Sequence, residues 1–307
     1  SQEREADDLG LDLAARAGYD PTGLPSILHT MEREEALRKD GPPRQSFFDT
    51  HPATPERVQE TERRAAALRP APEAAVARTP RDFLARLDDL LVGENPADGT
   101  FQNSRFFQPT LGITLQFPSG WPTRNTPRAA VGYTKDKEAF LILSVAGKGD
   151  DPAQVARAAQ RETGVPLPSG ASTLDINGLR AVRGVAAAES DRGPMTVDLT
   201  WIASAGVVYR LVGVSPTPRY AAYRPLFDQS VQSFRAMTPA DAAGLRETRL
   251  RVTTARAGES LADLARRSRS VWSPEELAIA NGLPADARLK AGQPIKVAVS
   301  EPYRDRR

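Results

Sequence analysis

The chain has 307 residues, 40% of them apolar and 26% charged, with a formal net charge of +2. That length is ample for two or three domains with a sizeable core, and no apolar stretch approaches the ~20 residues needed to span a bilayer. The lack of cysteine excludes disulfides, thiolate metal sites and cysteine nucleophiles, and no basic run with interleaved aromatic residues suggests nucleic acid.

Near the start, Glu3 and Asp7 stand four residues apart in a helix-forming run, which puts both carboxylates on one helix face. The spacing alone fits a solvated acidic first turn favoured by the helix dipole. It equally fits metal chemistry: a helix-borne carboxylate is a normal third ligand for zinc held by two histidines. A second carboxylate one turn away can orient a histidine ligand through its free ring N–H. Helices are predicted over 3–17 and 22–38, separated by Gly18-Tyr19-Asp20-Pro21. In the second, Leu24, Ile27, Leu28 and Met31 form the expected packed face, with His29 beside it at the surface. Residues 39–50, with Gly41-Pro42-Pro43, read as a loop. Thr54 then suits an N-cap and Pro55 the first position of a helix to about Leu68.

Glu3-Arg4-Glu5-Ala6-Asp7, Gly18-Tyr19-Asp20-Pro21 and Thr50-His51-Pro52-Ala53-Thr54-Pro55-Glu56-Arg57 follow one another in that order. The succession, over residues 1–69, resembles metallopeptidase family 48, the gluzincins that include HtpX-like, CAAX-prenyl-protease and BepA-like enzymes. The resemblance implies Glu3 as third zinc ligand, Asp7 as the companion that orients a histidine, and His51 as a candidate movable fourth ligand. It further implies one zinc ion in the intact protein, protein or peptide substrates, and a bacterial periplasm or cell-envelope location. The departure is large. The chain has two histidines, His29 and His51, and neither lies in H-E-x-x-H, so the two histidine ligands and the glutamate that activates the zinc-bound water are missing. The chain is therefore expected to be the C-terminal part of a longer zinc endopeptidase, inactive alone and holding zinc weakly.

Residues 70–104 read as a Pro/Ala linker and a connector helix carrying Phe83, Leu84, Leu87, Leu90 and Leu91, ended by Gly93. Residues 105–238 have an α+β texture. Strands are predicted over 111–117, 129–133, 139–146, 179–187, 195–203 and 207–214, and helices over 152–163 and 220–233. This order suits one mostly antiparallel sheet with helices on one side. Phe117-Pro118-Ser119-Gly120-Trp121 and the terminal helix resemble the Mog1/PsbP-like fold, which implies a scaffold without catalytic residues. Gly147-Lys148-Gly149 lacks the Walker spacing, and a segment without histidine cannot supply a Ser-His-Asp triad. A structural or protein-binding role is expected.

Residues 249–300 read as β-α-α-β, with turns at Ala257-Gly258-Glu259-Ser260, Asn281-Gly282-Leu283 and Lys290-Ala291-Gly292-Gln293. This order resembles a LysM domain, with Glu259-Ser260 in place of Asp-Thr and Ala291 in place of proline. The resemblance implies peptidoglycan binding through Gly258, Glu259, Ser260, Asn281 and Gly282. Charge is uneven: residues 1–70 hold 14 acidic and 10 basic side chains, residues 249–307 hold 7 and 12, so the C-terminal end would attract an anionic polymer. The expected architecture is α+β and multidomain: helical protease tail, antiparallel-sheet middle domain, small β-α-α-β module. The competing functional reading is a noncatalytic peptidoglycan-associated binding or assembly protein.

Overall fold

The computed structural model of the chain describes residues 2–38, 54–71, 79–163 and 171–305. It divides into two compact units, Ser1–Val92 with Thr248–Glu301 and Gly93–Glu247 with Pro302–Arg307.

The first unit opens with α1 (Gln2–Arg16) and α2 (Gly23–Arg38), followed by α3 (Pro55–Ala67) and α4 (Pro80–Leu87). Thr54 caps α3, accepting from the Arg57 N–H at 3.3 Å, and Pro55 fills the position where a missing donor costs nothing. On α1 the buried positions are Asp7, Leu11 and Ala15, four residues apart and so on one face. Leu28 and Met31 of α2 bury against Val58 of α3. Ile27, expected in that face, is 51% exposed. Position 27 lies about 100° around the helix from Leu28 and about 40° beyond Met31, at the edge of the buried stripe.

In the second unit the chain forms β1 (Thr100–Gln102), β2 (Arg105–Gln108), β3 (Ile113–Gln116), β4 (Thr123–Asn125), β5 (Ala130–Tyr133) and β6 (Phe140–Lys148). After α5 (Pro152–Thr163) come β7 (Ser172–Ile176), β8 (Leu179–Ser190), β9 (Gly193–Ser204) and β10 (Val207–Pro216). It closes with α6 (Tyr220–Ser233), β11 (Arg235–Ala236) and α7 (Pro239–Ala243). The single sheet expected is in fact two antiparallel sheets, ordered β1-β2-β3-β11 and β4-β5-β6-β10-β9-β8-β7. The short strands β1, β2, β4 and β11 carry too few residues to show an alternation in sequence.

The helices also lie on both faces of the larger sheet, not one. Leu199, Trp201 and Ala203 of β9 pack with Ala156 of α5, whereas Ile202 shares the opposite core with Phe227 and Val231 of α6. Both faces of the central strands are buried, and a sheet of that kind must be covered twice. The approach of α6 depends on Gly213 in β10, where an added Cβ would lie 2.7 Å from the buried ring of Phe227.

The first unit is completed by β12 (Arg246–Thr254), α8 (Leu261–Ser268), α9 (Pro274–Ala280) and β13 (Pro294–Pro302), with β12 and β13 paired in a small sheet. Ser260 caps α8 and Ser273 makes a capping box with Glu276 on α9. Leu261, Leu264, Leu277, Leu289, Ile295 and Val297 form a core of their own. The connector helix expected to reach Leu91 ends at Leu87. Beyond it, Asp89 N–H donates to Leu250 O, Leu250 N–H to Leu90 O and Val92 N–H to Thr248 O, each at 2.8 Å. The free edge of β12 thus pairs with residues 90–92 after a turn at Asp89 (φ 72°), satisfying backbone groups of the edge that a longer helix would leave to solvent.

Candidate functional site

Two turns of α1 and the start of α3 assemble the strongest constellation in the first unit. Arg57 stands third in α3, where the Thr54 cap fixes the backbone. Its Nε and Nη2 donate to Asp7 Oδ2 and Oδ1 at 2.7 and 2.8 Å, a two-bond fork across 50 residues of sequence. The same Nη2 lies 3.1 Å from Glu3 Oε2. The Arg57 and Asp7 side chains are only 10% and 8% exposed, while Glu3 keeps 32%. The guanidinium is pushed above its ordinary range, first by the hydrogen bonds it donates to Asp7, against the opposing effect of burial.

Glu3 and Asp7 therefore share one helix face and one cation. Of the two carboxylates Glu3 is the more exposed. Two helical turns along α3 from Arg57, Arg64 reaches Asp8 at 2.8 Å and Asp12 at 3.0 Å, a second and more exposed link from α3 to α1. Arg57 carried no role in the sequence reading beyond its place in the H-P-x-x-x-x-R pattern. The signal available was that two acids one turn apart on a buried face require a cation.

The donors present do not make a zinc site by themselves. Among the described residues there is no group of three or more His, Cys, Asp or Glu side chains placed to hold a metal ion. His29 is committed elsewhere: Nε2 meets Glu62 Oε1 at 2.9 Å and Nδ1 meets Glu32 Oε2 at 3.2 Å on an exposed surface. Those bonds, the one from Glu62 first, raise its pKa above 6.5. His51 lies outside the described residues.

In the C-terminal module the residues expected to touch glycan are locked into the fold. Glu259 accepts from Arg267 Nε and Nη2 at 2.7 and 2.9 Å and from the Arg256 N–H at 2.9 Å. The Arg267 bonds hold its carboxyl down at about 2. Ser260 Oγ caps Asp263 N–H at 3.1 Å. Asn281 ties the end of α9 to β13, its amide donating to Leu277 O and Lys296 O and accepting from Lys296 N–H. Gly258 and Gly282 both turn at positive φ, 69° and 63°. Gly258 and Glu259 line an open depression of about 540 Å³ with Arg256, Asp263, Arg266 and Arg267. Gly282 lines a different one, of about 500 Å³, beside His29, Arg33 and Glu62.

Residues 1–65 match the profile of Peptidase family M48. No curated protein matches the sequence. Among solved structures, one from Bacteroides thetaiotaomicron is 13% identical, covers 58% of this chain and 68% of its own, and has a TM-score of 0.38. Cyanobacterial PsbP from Synechocystis is 14% identical over 45% of this chain and 95% of its own, with a TM-score of 0.35. LpqN of Mycobacterium tuberculosis, described as involved in cell envelope biogenesis, is 16% identical over 53% of this chain and 100% of its own, with a TM-score of 0.33. The second unit is defined by its own sheet order, not by these likenesses.

Two outcomes are expected. Arg57→Met leaves the Asp7 carboxylate buried without its cation, so chemical denaturation should show the helical segment destabilised by about 3–5 kcal/mol, with part of the loss recovered in Asp7→Leu/Arg57→Met. Glu259 has a depressed carboxyl, so its stabilisation is complete above its ordinary 4.5 and lost as pH falls toward about 2. Acid titration followed by Trp272 fluorescence should show that decline, and Glu259→Gln should flatten it.

Proposed function

We propose that the chain is the C-terminal part of a zinc metalloendopeptidase of the bacterial cell envelope. In this reading residues 1–69 are the closing helices of its catalytic domain. The carrying observation is that Glu3, Asp7 and Arg57, which fall in two of the ordered motifs, meet at one point of the first unit, within the segment that matches Peptidase family M48. On this reading Glu3 is the zinc ligand contributed by this chain, and the Arg57 fork fixes α1 so that Glu3 projects at a set position. Asp7 keeps lone pairs beyond the two Arg57 bonds and orients a histidine of the parent. His51 is the further, movable ligand. Leu9 and Leu13, 58% and 61% exposed on α1, are the apolar surface that the rest of such a domain would cover. The substrates are proteins or peptides of the envelope.

The module 249–300 is proposed as a LysM-like domain that associates with peptidoglycan and folds on its own core. With Glu259, Ser260 and Asn281 engaged internally, contact with acetamido groups falls to backbone N–H and C=O around Gly258 and Gly282. Arg256, Arg266 and Arg267 at the rim of the depression add attraction for an anionic wall. The alternative, a noncatalytic peptidoglycan-associated binding or assembly protein, is supported by one observation: the Arg57 fork gives the Asp7 carboxylate a structural role within this chain.

The chain alone should not cleave casein with added zinc, and calorimetry should show no tight stoichiometric zinc site, since one carboxylate and one histidine fall short of three protein ligands. Casein cleavage abolished by Glu3→Ala would overturn this. Sedimentation with peptidoglycan should persist at high salt, where long-range attraction is screened, and fall on Gly258→Val. Binding that disappears with salt would leave the module a structural cap.

A further inference from the structure

In the larger sheet of the second unit, Arg210 of β10 pairs across to Ser144 of β6 on one side and to Trp201 of β9 on the other. Cross-strand partners point to the same face, so the three side chains form one row over about 10 Å of sheet, at about 4.8 Å per strand. Ser144 Oγ, Arg210 Nε and Trp201 Nε1 are all buried atoms, and each lacks a hydrogen-bond partner among the described residues. Trp201 is 4% exposed. Indole and guanidinium N–H groups donate only, and the serine hydroxyl can donate. Unmet donors of this kind, gathered in one row and joined by a cation, are complementary to an anion.

The surroundings narrow the ligand. Toward Ala203 and Val208 the row is closed by α5, whose Ala156 also clusters with Trp201 of the row and with Leu199 beside it on β9. At the other end the next row, about 7 Å along the strands, presents Val131, Ile142 and Val212, and the one after it Tyr133, Phe140 and Val214. All six are half-buried. A buried polar row continuous along the strands with a half-buried apolar strip fits an amphipathic molecule, and a single arginine matches a single negative charge.

We infer that this face of the sheet binds an acyl carboxylate, its head on Ser144, Arg210 and Trp201 and its chain along the apolar strip. The site is independent of the protease reading, which concerns the first unit.

Calorimetry on the full chain tests it with octanoate as the probe, 1-octanol as the uncharged chain and acetate as the chainless head. Saturable one-to-one binding of octanoate is expected, at least about tenfold tighter than octanol or acetate. Arg210→Met should weaken it about tenfold or more, and Ser144→Ala and Trp201→Phe by a smaller factor. Ser144→Ala should melt at or above the temperature of the unaltered chain, because it removes a buried hydroxyl that had no partner. Octanol binding as tightly as octanoate, unchanged affinity in Arg210→Met, or no saturable octanoate binding would overturn the proposal.

Discussion

The fork between Arg57 and Asp7 is the constraint on which the N-terminal helices depend. Removing a carboxylate and a guanidinium from water is costly, and the pair is tolerable only when both bonds form at once with good geometry. That requirement fixes the register of α1 against α3 and the direction in which α1 faces. Leu11 and Ala15 bury on the same stripe as Asp7, while the exposed Arg64 links to Asp8 and Asp12 add little beyond alignment. Glu3 gains its place as a consequence: one turn before Asp7, it is held near the same guanidinium yet left half-open.

The same economy of side chains shapes the C-terminal module. Glu259, Ser260 and Asn281 occupy turn positions and spend their polar atoms on the turns themselves. A polymer recognised there must be recognised mainly by backbone, or by the arginines at the rim. Substituting Asn281 would therefore test folding before it tested recognition.

Most of the long elements were legible in the sequence because their signals are local. The Thr54-Pro55 start of α3, the bounds of α5 and α6 and the β9–β10 hairpin follow from caps and alternation. The placement of helices on both sheet faces was not legible, since Asp198, Thr200 and Ser204 alternate with Leu199, Trp201 and Ala203 along β9 as in a strand covered once, yet all six are buried. The end of α4 was missed because its competitor, the edge of β12, lies about 160 residues away in sequence. At the candidate site the acidic spacing was readable from helix periodicity. Its cation was not, because nothing local pairs Arg57 with Asp7.

The most direct measurement is the nitrogen-15 NMR signal of the Arg57 Nε–H in the full chain. A resolved, slowly exchanging Nε–H is expected that persists in Glu3→Gln and disappears in Asp7→Leu, because Nε donates to Asp7 Oδ2. A rapidly exchanging Nε–H in the unaltered chain, or one that survives Asp7→Leu unchanged, would contradict it.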